Sequence, residues 1–193
     1  MGNSASANNI REPIVRPEEA WLEKLKGIHR IVYDTPTVEE AFPAALPYNF
    51  MSAHNDAGVP DADLSVVVVL RHRAIPFAFE DRIWARYKLG KFFKVSDGNG
   101  VPATRNTLWN LPADESRPAV SLKALQERGV IYCVCDMAIS KNARMIASAA
   151  NLDPAEVRKD WISGLLPGMF VVPAGVWAVQ RAQQQGCAYC FGG

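Results

Sequence analysis

Gly129-Val130-Ile131-Tyr132-Cys133-Val134-Cys135-Asp136-Met137-Ala138 is the stretch from which the fold of this chain can be read. The glycine marks a turn. Val130 to Cys135 is a short apolar run rich in β-branched and aromatic residues, which reads as a buried strand. Met137 to Ala149 follows directly as a helix. A strand that passes straight into a helix is half of a strand–helix–strand unit. Repeated units of that kind build a parallel sheet with helices on its faces.

The same grammar extends outward in both directions. Leu64 to Leu70 is a second strand, continuously apolar as expected when both sheet faces are covered, and Arg71-His72-Arg73 ends it. His29 to Tyr33 is the first strand, Met169 to Val172 the fourth and Cys187 to Phe191 the fifth. Between them lie helical segments. Pro17 to Leu25 is a short amphipathic helix, with Pro17 suited to a first helical position. Thr37 and Glu40 make a capping-box signal for a helix reaching about Asn55, broken by Pro43 and Pro47. Pro76 to Leu89, Ala119 to Glu127, a segment opened by Asp153-Pro154-Ala155-Glu156, and Gly175 to Gln185 complete the set. The order predicts an α/β chain: a five-stranded, mainly parallel sheet with helices on both faces, joined by right-handed crossovers. One domain is expected over residues 16–193, after a polar tail at 1–15. Residues Val95 to Pro118 form a long connection rich in Gly, Pro, Asn and Asp, a length typical of lids, binding loops and interface elements.

Composition narrows the function classes. The chain has 193 residues, 21 Lys plus Arg against 20 Asp plus Glu, and a net charge of +1. That balance lacks the basic excess of a nucleic-acid binder. With 49% hydrophobic and 21% charged residues it is a folding sequence, not a disordered one. Four cysteines are too few for a disulfide-stapled scaffold. The longest aliphatic run, Val66 to Leu70, falls far short of the ~20 residues that span a bilayer, so no membrane partner is expected. Gly2 and Ser6 match the N-myristoylation pattern, although a flexible tail is the simpler reading of residues 1–9. Those residues show no basic segment followed by an apolar one. The expected compartment is periplasmic if they stand in place of an export signal and cytoplasmic otherwise.

Ligands of open α/β sheets bind beyond the carboxyl ends of the strands. Asp34 and Thr35 end the first strand, and Arg71, His72 and Arg73 follow the second. Cys135, Asp136 and Met137 follow the third, Pro173, Ala174 and Gly175 the fourth, and Cys190 lies near the end of the fifth. This rim carries a thiol, an imidazole and two guanidinium groups. A nucleophilic cysteine needs its thiolate stabilised by nearby cations or a helix N-terminus, and Cys135 stands where a helix begins. Cys133, inside the strand, has the position of a small packing residue. Cys187-Ala188-Tyr189-Cys190 is a C-x-x-C within a strand, whereas a dithiol oxidoreductase sets that pair at the start of a helix. Cys135 and Cys187 lie too far apart in sequence for a zinc ribbon, which expects ~15–20 residues between its pairs, so no metal is expected. If the fourth strand separates the third from the fifth, the Cys135 and Cys190 backbones are about 10 Å apart, beyond the ~7 Å limit of a disulfide. Glycine-rich nucleotide motifs are absent, and no cofactor is expected. Thr35 and its neighbours could still hold a phosphate at a helix N-terminus.

Residues 129–138 resemble the DsrE/DsrF-like family of small sulfur-relay proteins, in which a strand ends in a cysteine and a helix with an apolar residue near its start follows. The stretch Val171-Val172-Pro173-Ala174-Gly175-Val176, then Arg181-Ala182-Gln183-Gln184-Gln185-Gly186-Cys187-Ala188-Tyr189, is similar to the ending of that family. Residues Val66 to Arg73 with Ala74-Ile75-Pro76-Phe77 resemble a branch whose members often carry twin-arginine export signals. The resemblance implies a flavodoxin-like three-layer α/β/α sandwich, a trimeric or hexameric assembly, and a cysteine that accepts sulfane sulfur as a persulfide, a role that falls on Cys135. A sulfane-sulfur donor or acceptor protein would be the partner. Cys133 and Cys190 are then candidate resolving thiols, and Arg71, His72, Arg73, Thr35 and Gly175 candidate substrate-binding residues. The alternative is a non-catalytic oligomeric module that binds a small ligand or a partner segment at the same rim.

Overall fold

A computed structural model describes residues 17–110 and 120–193, apart from the side chain of Glu40. Its centre is a five-stranded parallel sheet: β1 (His29–Thr35), β2 (Leu64–Leu70), β3 (Ile131–Cys135), β4 (Met169–Val172) and β5 (Ala188–Phe191). Helices cover both faces, giving the α/β/α sandwich that the alternation of elements implies. The helices are α1 (Phe42–Asp56), α2 (Asp81–Tyr87), α3 (Leu89–Phe93), α4 (Leu122–Glu127), α5 (Asp136–Ala150), α6 (Pro154–Ser163) and α7 (Gly175–Gln184).

Strand alternation divides the core in two. Tyr33, Val66, Val68, Leu70, Tyr132 and Val134 face α1, α2 and α5, where they meet Met51, Trp84 and Ile139. Val32, Val67, Val69, Ile131 and Cys133 face α7 and the N-terminal 3-10 helix Pro17–Lys24, where they meet Ala178, Val179 and Trp21. All seven residues of β2 are buried, as its unbroken apolar run requires.

The strand order is β4-β3-β2-β1-β5. This corrects the expectation that the fourth strand separates the third from the fifth: β4 and β5 occupy opposite edges. The reason is the handedness of the crossovers. The connections from β1 through β4 run over one face, and each right-handed crossover adds its strand on the same side. Helix α7 lies on the other face, so a crossover of the same hand runs backwards over the sheet. It delivers β5 to the free edge of β1.

Several helices depart from the sequence reading. Helix α1 runs unbroken through Pro47. A proline there leaves the carbonyl four residues earlier without its helical donor. That carbonyl belongs to Pro43, and the buried Tyr132 hydroxyl donates to it at 3.1 Å. The helix expected from the Thr37–Glu40 signal does not have a single start, because Ala41 (φ 54°) separates a 3-10 turn at Glu39–Ala41 from α1. The single helix expected from Pro76 to Leu89 is three pieces: a 3-10 turn at Ile75–Ala78, then α2, then α3 after Lys88 (φ 52°). Phe79 interrupts it by bridging to Leu165 and packing its ring 5.0 Å from that of Trp161. The first segment is 3-10 and not α-helical, and it plugs the lower core with the fully buried Trp21.

One buried amide ties the described part of the long connection to the core. Asn106 Nδ2 donates to the carbonyls of Phe77 and Phe79 at 2.8 and 2.9 Å. Its Oδ1 accepts from the Leu108 and Trp109 N–H groups at 3.0 and 3.1 Å. Residues 111–119 and the N-terminal segment with Gly2 and Ser6 lie outside the described residues. Among the described residues, no helix is long and apolar enough to cross a membrane.

Candidate functional site

The carboxyl ends of the strands form one rim, and Cys135 stands at its middle. It is the last residue of β3 and the N-cap of the 15-residue α5. Its register partner in β4 is Val172. On the other side Leu70 pairs with Val134, so the next residue of β2, Arg71, lies beside Cys135 one strand spacing away, about 5 Å between backbones. Cys135 is 7% exposed. It packs with the α5-side cluster, whereas Cys133, two residues earlier, packs with the α7-side cluster. The strand ends at Cys135 and its backbone turns into the helix, which breaks the alternation there.

Arg71 is the best-held charge on the rim. Its Nε and Nη2 donate to the two oxygens of Asp34 at 2.5 and 2.8 Å. The Tyr189 hydroxyl, from β5, donates to Asp34 Oδ2 at 3.2 Å. The Asp34 hydrogen bond, and then the charges of Asp34, Tyr189 and Cys135, hold the Arg71 pKa above its ordinary value against the opposing effect of burial. Gly175 opens α7 directly against the Arg71 stem: a Cβ there would stand 2.7 Å from the Arg71 Cβ. Burial, aided by the Asp34 charge and hydrogen bond, keeps the Tyr189 phenol protonated above its ordinary range.

The other candidates separate into those near the thiol and those turned away from it. Thr35 is fully buried, and its Oγ1 donates to the Val69 carbonyl at 2.8 Å, which removes it as a phosphate ligand. Arg73 donates through Nη2 to the Phe93 carbonyl and through its backbone N–H to Pro36. It braces the turn and the start of the long connection. His72 is exposed in a left-handed turn position (φ 51°). Cys133 is fully buried, and burial pushes its thiol well up. Cys190 lies in β5, and β2 and β1 stand between it and β3. Three strand spacings make about 14 Å, farther than the sequence reading expected, so the fold does not bring Cys190 to Cys135. Burial also pushes up the Cys187 thiol, with Arg30 opposing.

Two partners of Arg71 had no assigned role in the sequence reading. Asp34 was placed on the rim as the carboxylate that ends the first strand, a position that demands a buried partner. Tyr189 carried no signal, because its meeting with Asp34 depends on β5 lying beside β1. Below the rim, Arg158 of α6 donates to Asp136 Oδ1 at 2.5 Å and to Ser140 at 3.0 Å, tying α6 to the start of α5. Met137 and Val176, the second residues of α5 and α7, are 67% and 63% exposed.

Two surface clefts lie elsewhere. One of about 610 Å³ is lined by Asp81, Asp97, Arg105 and Trp109, and one of about 600 Å³ by Lys26, Gln126 and Phe170. Neither touches Cys135 or Arg71. Among the described residues, no three His, Cys, Asp or Glu side chains are grouped to hold a metal ion.

No family model and no curated protein sequence matches the chain. A solved structure, that of a protein of unknown function from Methanobacterium thermoautotrophicum, is similar over 84% of this chain and 98% of its own length, at 17% identity and a TM-score of 0.45.

Proposed function

We propose that this is a sulfur-handling protein in which Cys135 accepts sulfane sulfur as a persulfide. The observation that carries the reading is the place of the sulfur: the N-cap of a 15-residue helix, at the carboxyl rim of a parallel sheet, in the strand next to the one that Arg71 follows. Helix N-termini and cations are the two features that favour a thiolate over a thiol. The Cys135 thiolate attacks the terminal sulfur of a donor persulfide, R–S–SH. The new S–S bond forms on Cys135 as the donor S–S bond breaks, and the donor departs as the thiolate RS⁻. No electrons are exchanged with an outside oxidant. A donor or acceptor protein would meet the thiol across the rim. The family resemblance adds a trimer or hexamer as the proposed assembly.

The test is peptide mass spectrometry after brief exposure to a sulfane-sulfur donor, with and without reductant. One added sulfur on the Cys135 peptide, reversed by reductant and absent in Cys135→Ser, is the expected result. No adduct, with Cys135 alkylated only after denaturation, overturns the reading.

A second reading rests on a different observation. Cys135 is nearly buried, while Met137 and Val176, in the first turns of α5 and α7, stand exposed. Under this reading the rim is an apolar docking surface of a non-catalytic oligomeric module, and Cys135→Ala leaves every binding property intact.

A further inference from the structure

Strand β5 is one edge of the sheet, and among the described residues only β1 pairs with it. One bond fixes which way its backbone groups point. The Gly192 N–H donates to the Asp34 carbonyl at 2.8 Å, so the backbone of Gly192 faces β1. Successive residues of a strand turn their N–H and C=O groups to opposite sides. Ala188 and Cys190 therefore bond to β1 as well, and the groups of Tyr189 and Phe191 point outward. Among the described residues, the Tyr189 N–H and carbonyl and the Phe191 N–H have no hydrogen-bond partner. The Phe191 carbonyl has only the Cys190 thiol, at 3.7 Å.

Nothing in the strand guards this edge. Edge strands that stay single carry Lys, Pro or a bulge, whereas residues 187–193 hold no charge and no proline. At the opposite edge the Lys24 ammonium stands 5.7 Å over the Phe170 ring of β4. Tyr189 and Phe191 are 48% and 55% exposed. Both lie on the α7 face, in register with Val32 and Asp34 of β1, and Val32 packs with the α7-side cluster. Cys190 packs on the other face. Helices α1 and α7 are seated chiefly over β1 and β2, inward of the edge.

A second copy of the chain is the occupant this strand fits. Two copies of β5 set antiparallel about a two-fold axis have a register in which the outward groups satisfy one another. Tyr189 and Phe191 of the second copy form a hydrogen-bonded pair that exchanges both N–H···O bonds, and so do Phe191 and Tyr189 of the second copy. The same two pairings set aromatic side chains directly across from each other on the α7 face, a stabilising cross-strand contact. The strand has no charge to bring against its own copy, where like charges would repel. Such a contact uses up the open edge of both copies and closes.

We infer that β5 is an interface between two copies of this chain, joined antiparallel through Tyr189 and Phe191 with Cys190 at the two-fold axis, so that two sheets continue as one. The inference goes beyond the reading of Cys135 and is independent of it, since β2 and β1 lie between β5 and the strand that carries that thiol. One short strand pair falls below the ~1,200 Å² of a standard interface, so the dimer exchanges with monomer.

The test is sedimentation velocity over a concentration series, with amide hydrogen exchange by NMR and thermal melting of each variant to confirm folding. The wild type is expected to pass from monomer to dimer as concentration rises. The Tyr189 and Phe191 amides gain protection in step, while the Cys190 amide, bonded to β1, is protected throughout. Phe191→Lys sets a charge in the contact and weakens the dimer by at least about tenfold. Phe191→Pro deletes one outward N–H, leaves the β1 ladder whole and weakens it likewise; if it fails to fold, Phe191→Lys decides. Cys190 faces its own counterpart at the non-hydrogen-bonded position, with Cα atoms about 4.5 Å apart, inside the range of a disulfide. Diamide, which takes the hydrogens of two thiols as their sulfurs join, is expected to link Cys190 to Cys190 of the second copy. A chain still monomeric at about 1 mM overturns the inference, as does an oligomer indifferent to the folded Phe191 variants. Protection of the Tyr189 and Phe191 amides already in the monomer overturns it too, because another segment of the same chain is then their partner. Linkage of Cys190 to a different cysteine of the second copy overturns the register.

Discussion

Asp34 and Arg71 join two neighbouring strands through a two-bonded ion pair at 2.5 and 2.8 Å, with the carboxylate nearly out of solvent. Removing one partner of such a pair leaves the other charge without compensation, a cost of ~3–5 kcal/mol when both are buried. Arg71 keeps a quarter of its surface in water. Asp34→Ala is therefore expected to lower the unfolding free energy by about 2 kcal/mol, measured by urea denaturation. A change below about 0.5 kcal/mol, the scale of exposed pairs, would show that the pair is fully screened.

Gly175 is required by proximity and not by backbone conformation. A Cβ there meets the Arg71 Cβ and Cδ at 2.7 and 2.9 Å. The Arg71 Cβ is fixed to its strand and cannot swing aside. Gly175→Ala is expected to cost about 1–2 kcal/mol net, the overpacking penalty outweighing the gain in helix propensity. Equilibrium unfolding measures it. A stabilised variant would mean that α7 moves off the sheet without cost.

The four cysteines should react in an order set by burial. Cys190 is partly exposed, Cys135 and Cys187 are buried near an edge or an end, and Cys133 is sealed in the core. Timed alkylation of the native protein, read by peptide mass spectrometry, should label Cys190 first and Cys133 only on unfolding. Labelling of Cys133 at the rate of Cys190 would contradict the packing of β3. Oxidation should give no Cys135–Cys190 disulfide, since two strands lie between them.

Tyr132 tests how α1 tolerates Pro47. Its hydroxyl supplies the donor that the Pro43 carbonyl lacks. Tyr132→Phe leaves a buried carbonyl unpaired, at a cost of about 1–2 kcal/mol. Tyr132→Phe with Pro47→Ala restores the helical N–H, so the double variant should recover much of the loss. No recovery would show that the hydroxyl matters for packing alone.

Acid stability should show the Asp61–Arg128 pair. Hydrogen bonding from Arg128, with help from Asn55 and against the pull of burial, holds the Asp61 carboxyl below its ordinary pKa. A carboxyl depressed in the folded state stabilises the fold above its unfolded value of ~4, and the contribution disappears as pH falls through the lower folded value. Asp61→Asn should therefore be less stable than the wild type at pH 6, with the gap closing as pH falls below about 4. Urea midpoints across that range measure it. A gap independent of pH would assign the effect to packing.

The strands were legible in the sequence because their signals are local. An unbroken apolar run at Leu64–Leu70 and a β-branched run ending in Cys135 can be read without knowing what covers them. The position of Cys135 at a helix start follows from the same local reading, and with it the candidate thiol. Arg71 was legible as a rim residue by its place after a strand. Strand order was not. It depends on which face α7 covers, and hence on the whole set of crossovers. That one decision moved Cys190 away from Cys135 and brought Tyr189 to Asp34. Where the side chains of Arg71 and Arg73 go was settled by partners distant in sequence: Asp34 for Arg71 and Phe93 for Arg73. The sequence by itself determined the alternation of elements and the residue at the end of each strand, because hydrophobic period and helix caps act within a few residues. Only the tertiary structure decided which of those ends face one another, because ion pairs and close contacts depend on distances that the chain acquires when the sheet closes its order.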